Sequence, residues 1–438
     1  MGRRTAVLAA LLLSGCDDTV NNGGVFLPTT SRVSLSVTGE ESNEFVYDAE
    51  VSGNGERVAF TTSANNLHPD DGDLSTDIFV KDLASGAVHL ASRGPGPAGA
   101  KAQNSSQPRL SRDGRLVVFV TGSQLVADDA DAGFDVYLRD LDTSDTVLVS
   151  RATGAAGANS TGNCQDPDIS PDGRFVVFAS SATNIAAGDV DTTYDIFIRD
   201  LQLNTTELVS RPTGAAGKSN GQCTVPRVSE GGTRVAFLSS ATNLGVAAAV
   251  QQAYVRDRVT LATVLVTQTT GTSNVPAVLY SNDLDISDNG RFVVFSTQAP
   301  LDPADTDVSV ADAYVRDVDG AVTELVSRKA GAAGIDIVDE VLYPAMSGDG
   351  RFVSFSTTSS SLVAGDENAK ADVFLRDRAL QTVVRISLRT FGGEAHDDSL
   401  KSSLSTDGKV GAFVSKAINL VAGDGNSVQD AFVRRPLW

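Results

Sequence analysis

The chain has 438 residues, of which 41% are hydrophobic and 6% aromatic, so it is long enough to bury a large core. Its formal net charge of −20 argues against nucleic acid and anionic membrane surfaces as partners. Its 40 glycines indicate many tight turns and no long amphipathic helical pattern occurs, which together favour an all-β protein.

The first 16 residues carry the features of an export signal. Arg3 and Arg4 precede an apolar run at residues 6–13, far shorter than the ~20 residues that a helix needs to span a bilayer. The sequence LSGC that ends at Cys16 resembles a bacterial lipobox, in which the cysteine thiol receives a diacylglyceryl group and the chain is cleaved before that cysteine. The resemblance implies a lipoprotein signal peptide at residues 1–15 and a lipid anchor in the bacterial cell envelope, on the periplasmic or outer surface side. An ordinary secretory signal with an incidental cysteine is the alternative.

A polar segment without hydrophobic period follows, and it predicts a flexible tether at residues 16–30. Residues 32–36 (RVSLS) are then predicted to form an isolated strand that resembles the fourth strands of the repeats described next. Residues 31–438 are predicted to form one domain.

Seven related copies of one segment fill this domain. Each resembles DGRFVVF and follows a serine that stands eight residues before its phenylalanine. The seven serines are Ser52, Ser111, Ser170, Ser229, Ser287, Ser347 and Ser405. They lie 58 to 60 residues apart, and a fixed period of this size is typical of a repeat architecture.

The third copy predicts four strands in one period. A first strand ends at Ser170, and the Asp-Gly of the following turn supplies the positive φ that a hairpin needs. Residues 175–180 form an apolar second strand, residues 195–201 (DIFIRDL) alternate as a third, and residues 207–211 (ELVSR) form a fourth. Four antiparallel strands in about 60 residues indicate one blade of a β-propeller.

The third strand recurs in all seven copies, as DIFVKD, DVYLRD, DIFIRD, QAYVRD, DAYVRD, DVFLRD and DAFVRR. The last copy ends without a fourth strand, whereas the strand at residues 32–36 precedes the first copy without a partner. We therefore predict an all-β fold, a seven-bladed β-propeller of four-stranded antiparallel blades whose last blade is closed by the N-terminal strand.

These repeats resemble the TolB-type, WD-like β-propeller family. The resemblance rests on the serine and DGR turn before an apolar strand, followed by D-[IVA]-[FY]-[VIL]-[KR]-D, and it covers residues 31–438. It implies the fold but not an activity, because that family includes partner-binding scaffolds and enzyme-associated domains alike.

The loop before the third strand is a candidate metal site, because in three copies it reads D-x-D-x-x-x-D. These residues are Asp71, Asp73 and Asp77, then Asp129, Asp131 and Asp135, then Asp189, Asp191 and Asp195. Carboxylates at alternate loop positions bring oxygens together as Ca²⁺ requires, so calcium is the one cofactor that the sequence suggests. Asx turns, which need no metal, are the alternative, and the fourth copy keeps its strand without these acids.

Two cysteines are a candidate disulfide. Cys164 and Cys223 each lie six residues before the blade serine and so occupy the same position in adjacent repeats. In an oxidising compartment such a pair forms a disulfide or remains as two free buried thiols, and both alternatives stay open. The three histidines, His68, His89 and His396, stand at unequal repeat positions outside any G-x-S-x-G context, so we expect no intrinsic catalysis.

Two further features recur between the blades. Arginines near the end of the third strand are expected to pair with acids of the same or the next blade. These residues are Arg139, Arg199, Arg256, Arg316 and Arg376. Gly- and Ala-rich connections between blades are expected to lie on one face, where loops on a rigid ring suit recognition.

The sequence therefore predicts a lipid-anchored envelope propeller that acts as a non-catalytic binding or assembly module for a protein, peptide or glycan partner. It would contact the membrane through its N-terminal lipid only and would not bind nucleic acid. The alternatives are an envelope enzyme that acts on polysaccharide or peptide, and a calcium-stabilised structural surface protein.

Overall fold

A computed structural model of the chain describes residues 27–246, 250–271, 281–306, 310–331, 334 and 336–438. The predicted signal peptide, Cys16 and most of the predicted tether lie outside the described residues. Within these ranges the chain forms 28 β-strands and one 3₁₀ turn at Glu230–Gly232. No helix in the described part of the chain is long and apolar enough to cross a membrane.

The strands form seven four-stranded antiparallel sheets, which confirms the predicted seven-bladed β-propeller. The first blade contains β2 (Val46–Val51), β3 (Arg57–Thr62), β4 (Asp77–Asp82) and β5 (Val88–Leu90). The second contains β6 (Ser106–Leu110), β7 (Leu116–Thr121), β8 (Asp135–Asp140) and β9 (Thr146–Leu148). The third contains β10 (Cys164–Ile169), β11 (Phe175–Ser180), β12 (Asp195–Asp200) and β13 (Thr205–Leu208). The fourth contains β14 (Cys223–Val228), β15 (Arg234–Ser239), β16 (Gln252–Asp257) and β17 (Thr263–Leu265).

The remaining blades repeat this order from the innermost to the outermost strand. The fifth contains β18 (Ser281–Ile286), β19 (Phe292–Thr297), β20 (Asp312–Asp317) and β21 (Val322–Leu325). The sixth contains β22 (Val341–Met346), β23 (Phe352–Thr357), β24 (Asp372–Asp377) and β25 (Thr382–Arg385). The seventh contains β26 (Ser399–Leu404), β27 (Gly411–Ser415), β28 (Asp430–Arg435) and, from the N-terminus, β1 (Thr29–Arg32).

One stacked aromatic pair marks the core of every blade. In the first blade, Phe60 of the second strand lies directly opposite Phe79 of the third, with ring centroids 5.8 Å apart. Both rings are fully buried, and this separation is within the range that aromatic pairs favour. The other six pairs are Phe119–Tyr137, Phe178–Phe197, Phe237–Tyr254, Phe295–Tyr314, Phe355–Phe374 and Phe413–Phe432.

The repeated serine explains the tight turn that follows each innermost strand. In the second blade, Ser111 Oγ donates a hydrogen bond to Asp113 Oδ1 (2.5 Å) and accepts one from the Leu116 amide (3.1 Å). Gly114 between them has a φ of 69°, a left-handed conformation that glycine adopts without strain. The hydroxyl therefore joins the two ends of the turn, and this is the reason that both the serine and the Asp-Gly pair recur.

The N-terminal strand closes the ring, as the sequence predicts. β1 pairs with β28 in antiparallel fashion, from Thr29 opposite Arg435 to Arg32 opposite Phe432. The strand begins earlier than the predicted residues 32–36 and takes the last two residues of the predicted tether. The reason is that the chain folds back after Val33, where Leu35 forms a bridge with Glu41.

The repeated arginines bind backbone carbonyl groups, so the predicted ion pairs are wrong. Arg139 donates to the carbonyl oxygens of Gly94 (2.7 Å) and Gly96 (3.0 Å) in the connection that precedes its blade. The equivalent arginines of the next four blades contact the preceding connections in the same way. The Gly96 amide in turn donates a hydrogen bond to the carbonyl oxygen of Ser144, in the turn after β8 (2.7 Å). The connection therefore packs along the outer strands of the next blade. It is not confined to one face of the ring, contrary to the expectation from the sequence.

We predict that the substitution Val33→Asp lowers the free energy of unfolding by about 3 kcal/mol or more. Val33 is 1% exposed and its amide donates to Ala431 O (2.8 Å), so the new carboxylate would be buried where the ring closes. Val37→Asp is the matched control because Val37 is 63% exposed, and we expect it to change stability by no more than about 0.5 kcal/mol. Urea unfolding measures the free energy of unfolding of both variants. Equal effects of the two substitutions would contradict the closure of the ring by the N-terminal strand.

Candidate functional site

The innermost strands of the blades enclose a cavity of about 390 Å³ on the axis of the ring. Each blade contributes the residues that lie two and four positions before its repeated serine. A bulge shifts the strand register between these two positions in most blades, for example between Gln165 and Asp168 in the third. Such bulges re-aim side chains, here toward the axis.

The residues two positions before the serine form a ring of alternating charge, which we name the charge ring. Its members in the first five blades are Glu50, Arg109, Asp168, Arg227 and Asp285. The sixth and seventh blades place Ala345 and Ser403 there, and we name this uncharged interval the gap. Because the ring is closed, the gap lies between Asp285 on one side and Glu50 on the other.

The charge ring also joins neighbouring blades. Arg109 Nη1 donates to Glu50 Oε2 across the first blade boundary at 2.7 Å. Asp168 Oδ2 accepts a hydrogen bond from the Val228 amide of the fourth blade (2.8 Å), and Asp285 accepts one from the sixth blade in the same way. These acids therefore have a structural role in addition to any role in binding.

The residues four positions before the serine form a second ring closer to the open end, which we name the entrance ring. Its members are Asp48, Gln107, Asp166, Val225, Asp283, Tyr343 and Lys401. The last six have φ between 39° and 58°, a left-handed conformation that is rare for residues other than glycine and is a genuine outlier for β-branched Val225. All six residues lie at the register shifts of the bulges, so this backbone conformation belongs to the repeated geometry of the innermost strands.

Lys401 is the one basic member of the entrance ring among its described residues. Its Nζ donates to the carbonyl oxygen of Tyr47 (3.0 Å) and lies 5.7 Å from the centre of the Tyr343 ring. It precedes Ser403 by two residues in β26, so it stands at the entrance above the gap.

The opposite end of the cavity is narrowed by the turns that follow the repeated serines. Arg112 of the second blade reaches across the axis to Glu230 Oε2 (2.9 Å) in the fourth blade and Asp288 Oδ2 (2.7 Å) in the fifth. A Cβ on Gly348 would come within 2.4 Å of Asp288 Oδ2, so any other residue there would have to displace this carboxylate. A Cβ on Gly53 would likewise come within 2.7 Å of a threonine hydroxyl.

The electrostatics of the cavity favour a positive guest. Its described lining contains seven carboxyl groups and four basic side chains. Burial raises the pKa of Glu50 to about 7, and the carboxylates Asp285 and Asp168 add to this, although Arg109 opposes it. Burial also raises the pKa of Asp48. A cation in the cavity would lower these pKa values and gain from the ionised acids.

The acidic loops of the first and third blades each enclose a lysine. Lys101 Nζ lies 3.2, 2.9 and 2.5 Å from oxygens of Asp71, Asp73 and Asp77. Asx-type contacts occur as well, since Asp73 Oδ1 accepts from the Ser75 amide (2.8 Å).

Lys218 has the same place in the third blade. Its Nζ lies 3.1 Å from Asp189 and 3.0 Å from Asp191, and it also binds Asp195. Sequence reasoning missed both lysines. The available signal was their equivalent position in the connection that follows each blade, 24 and 23 residues after the last acid of the loop.

The loop of the second blade lacks such a lysine. Asp129, Asp131 and Asp135 bring carboxylate oxygens within 4.8 Å of one another. Asn159 stands where the lysines stand, and its Nδ2 donates to Asp131 Oδ2 (3.1 Å) and Asp129 Oδ1 (3.4 Å). Burial raises the pKa of Asp135 to about 7. Burial also raises the pKa of the equivalent Asp77, to about 6, and there Lys101 opposes the rise.

Arginines enter the acidic loops of the last two blades. Arg385 Nη1 lies 3.2, 3.1 and 2.6 Å from oxygens of Asp366, Asp372 and Glu394. Arg32 lies 3.2 Å from Asp424, 3.4 Å from Asp430 and 2.9 Å from Glu41. Asp305, Asp312 and Asp336 form a further group of close carboxylates in the fifth blade.

Cys164 and Cys223 are free and buried, so the structure has the alternative of two free thiols and no disulfide between them. Each thiol is directed into its own blade. Cys164 Sγ lies 3.3 Å from Ser160 Oγ and Ser180 Oγ, and Cys223 makes the equivalent contacts in the fourth blade. Burial raises the pKa of both thiols to about 12.

The three histidines lie apart from the cavity. His89 lies in the outermost strand β5, whereas His68 and His396 lie in loops. None is among the residues that line the cavity in the described part of the chain. Burial lowers the pKa of His68 and His89.

Comparison with known proteins finds similarity in fold. No protein-family model and no curated protein matches the sequence. Similar solved structures include the β-propeller domain of the Trilobed protease from Pyrococcus furiosus, with a TM-score of 0.51 and 12% identity over 90% of this chain and 98% of that one. An oligogalacturonate lyase in complex with manganese also has a TM-score of 0.51 and 12% identity, over 93% of this chain and 90% of that one.

TolB proteins are also among the similar structures. TolB from Acinetobacter baumannii has a TM-score of 0.42 and 12% identity, over 78% of this chain and 66% of that one. At these identities the likenesses show the propeller fold alone.

We predict that Glu50→Gln reduces the pH dependence of stability between about 4.5 and 7. A carboxyl group with a raised pKa contributes its full stability below its unfolded pKa, and this is lost as the pH rises through the folded pKa. The wild type should therefore lose stability relative to the variant as the pH rises through this window. Urea unfolding at several pH values measures this, with the exposed Glu56→Gln as the control that should follow the wild type.

Proposed function

We propose that this chain is a non-catalytic binding module of the bacterial cell envelope, anchored through a lipid on Cys16, that receives a cationic side chain of a protein or peptide partner in its axial cavity. The observation that carries the proposal is the gap in the charge ring. The axial cavity supports the binding step, and the N-terminal sequence supports the location.

The order of charges around the ring favours a cation in the gap. From Glu50 to Asp285 the signs alternate, beginning and ending with an acid. The two acids that flank the gap would both attract a cation placed between them, and that cation would complete the alternation around the ring. An anion there would be repelled from both sides, and the low dielectric of a protein interior strengthens either effect.

The shape of the cavity suits one long, narrow side chain. Ala345 and Ser403 are small, so they leave space where the other blades carry charged side chains. At the entrance the Tyr343 ring is in contact with the protein's own Lys401 Nζ, 5.7 Å from the ring centre, so a guest cation reaches this ring only by displacing that lysine. Arg112 narrows the far end, so a guest enters from the entrance ring and stops inside the cavity.

The contacts of the acids suit binding better than proton transfer. Glu50 pairs with Arg109, and Asp168 and Asp285 accept hydrogen bonds from backbone amides of neighbouring blades. These contacts hold the carboxylates in place as a fixed negative lining. A preformed lining reduces the cost of ordering when a partner binds.

We predict that a labelled Gly-Ser peptide with one central lysine binds more tightly than the same peptide with glutamine. Glu50→Gln should weaken binding of the lysine peptide by about tenfold, because it removes one charge-assisted contact. Lys401→Gln should strengthen it, because it removes a like charge at the entrance. Fluorescence anisotropy measures the affinity of the wild type and of both variants for the peptides, with the full chain in detergent.

Glu56→Gln is the matched control, since it makes the same change of charge in the turn between β2 and β3 at the opposite end of the cavity. It should leave the affinity unchanged. Equal affinity of the wild type for the two peptides, or equal effects of the two glutamate variants, would contradict the proposal.

We predict that Cys16→Ser moves the protein from the membrane fraction to the soluble fraction. The lipid on this thiol is the proposed anchor, and serine cannot form the thioether. Fractionation with mass spectrometry of the N-terminus measures the change, and Cys164→Ser, which alters a buried thiol, is the control. Retention of Cys16→Ser in membranes would overturn the lipid anchor and leave the binding site untouched.

A further inference from the structure

Most acidic loops of this propeller gather their carboxylates around a positive charge. Four blades supply this charge from their own side chains. The basic residues are Lys101, Lys218, Arg385 and Arg32 in the first, third, sixth and seventh blades. Each of these basic residues contacts three acids. In these four blades a positive charge therefore lies at the centre of the acidic loop.

The second blade has the acids of this arrangement without the basic residue. Among the described residues, no lysine or arginine forms an ion pair with Asp129, Asp131 or Asp135. Asn159 lies where Lys101 and its counterpart in the third blade lie, and it carries no charge.

An unpaired oxygen points to the same position independently. Asp135 is 0% exposed, its Oδ1 accepts a hydrogen bond from Ser150 Oγ (2.5 Å), and its Oδ2 has no hydrogen-bond partner. The equivalent oxygens, Asp77 Oδ2 and Asp195 Oδ2, accept from the lysine Nζ atoms. A buried carboxylate oxygen without a partner is costly, so the place of that Nζ is the place where a ligand is needed.

We propose that Asp129, Asp131, Asp135 and Asn159 bind a hard divalent cation, with Ca²⁺ as the ion that fits best. The proposal concerns a site in the loop before β8 and does not depend on the proposed function of the axial cavity. The sequence suggests calcium in the acidic loops of the first three blades. The proposal keeps only the loop of the second blade, because the other two contain a lysine.

The donor set decides the class of ion. Three carboxylates and an amide offer oxygen ligands only, which suits Ca²⁺ and Mg²⁺ and disfavours Zn²⁺. The Asn159 amide can present its oxygen in place of its nitrogen by rotating half a turn, since the two ends have the same shape. Water would complete the coordination, and Ca²⁺ tolerates such irregular sets better than Mg²⁺, which demands near-octahedral geometry.

The experiment counts bound Ca²⁺ by isothermal titration of the chelator-stripped full chain in detergent. Ca²⁺ is titrated through the range of about 10⁻⁴–10⁻³ M that is typical of extracellular modules. We expect Asn159→Lys to bind one Ca²⁺ fewer than the wild type, because its ammonium takes the ion's place. We expect the converse substitution, Lys101→Asn, to bind one more, because it gives the first blade the donor set of the second.

Further variants keep the test decisive if Asn159→Lys does not fold. Asp131→Asn should weaken one site at least tenfold, and Asp142→Asn, an exposed acid in the turn after β8, should weaken none. A parallel titration with Mg²⁺ should show weaker binding. A wild type that binds no Ca²⁺ in this range, or an Asn159→Lys variant with the wild-type number of sites, overturns the proposal.

Discussion

The structure depends on burying both faces of every blade. All six residues of β11 are buried, and β7 and β23 have the same pattern, so neither face of these second strands can meet water. The cover can come only from the two neighbouring blades. A row of such blades would leave an apolar face at each end, and the pairing of β1 with β28 removes both ends at once.

The axis is the one place where this burial is relaxed. No further strand covers the inner side of the innermost strands. Their side chains therefore line a cavity and can be charged. The charge ring uses this freedom to connect the blades, through an ion pair and through carboxylates that accept backbone hydrogen bonds. The sixth and seventh blades contribute no charged residue to the charge ring. The resulting gap makes one side of the cavity chemically different from the rest.

The acidic loops show how one structural problem has different solutions in a single chain. Acids that begin the third strand, such as Asp77, accept a hydrogen bond from a serine two residues beyond the fourth strand, which ties the blade together. Gathering further acids beside them creates repulsion that needs a positive charge. The chain supplies lysine from a connection in two blades and arginine from a fourth strand in two others, while the fourth blade replaces the aspartate by Gln252.

Much of the fold was predictable from the sequence because it depends on local pattern. The serine, the Asp-Gly turn and the apolar strand recur with a constant period, so blade number, strand order and closure by the N-terminal strand followed from counting. β1 differs from the predicted residues 32–36 because the strand ends where Leu35 folds back onto Glu41, a contact that no sequence period records. The ion pairs expected for the repeated arginines were also wrong, because their partners are carbonyl groups of the connections, which carry no sequence signature.

The sequence by itself determined the blade and its sevenfold repetition, since turn chemistry and hydrophobic alternation act between residues that are near each other in the chain. Only the tertiary structure decided which charges meet. Glu50 and Arg109 are 59 residues apart, and Arg112 and Asp288 are 176 apart, yet each pair is in contact. Electrostatic interactions depend on distance in space, and that distance is set by the closure of the ring and by the paths of the connections.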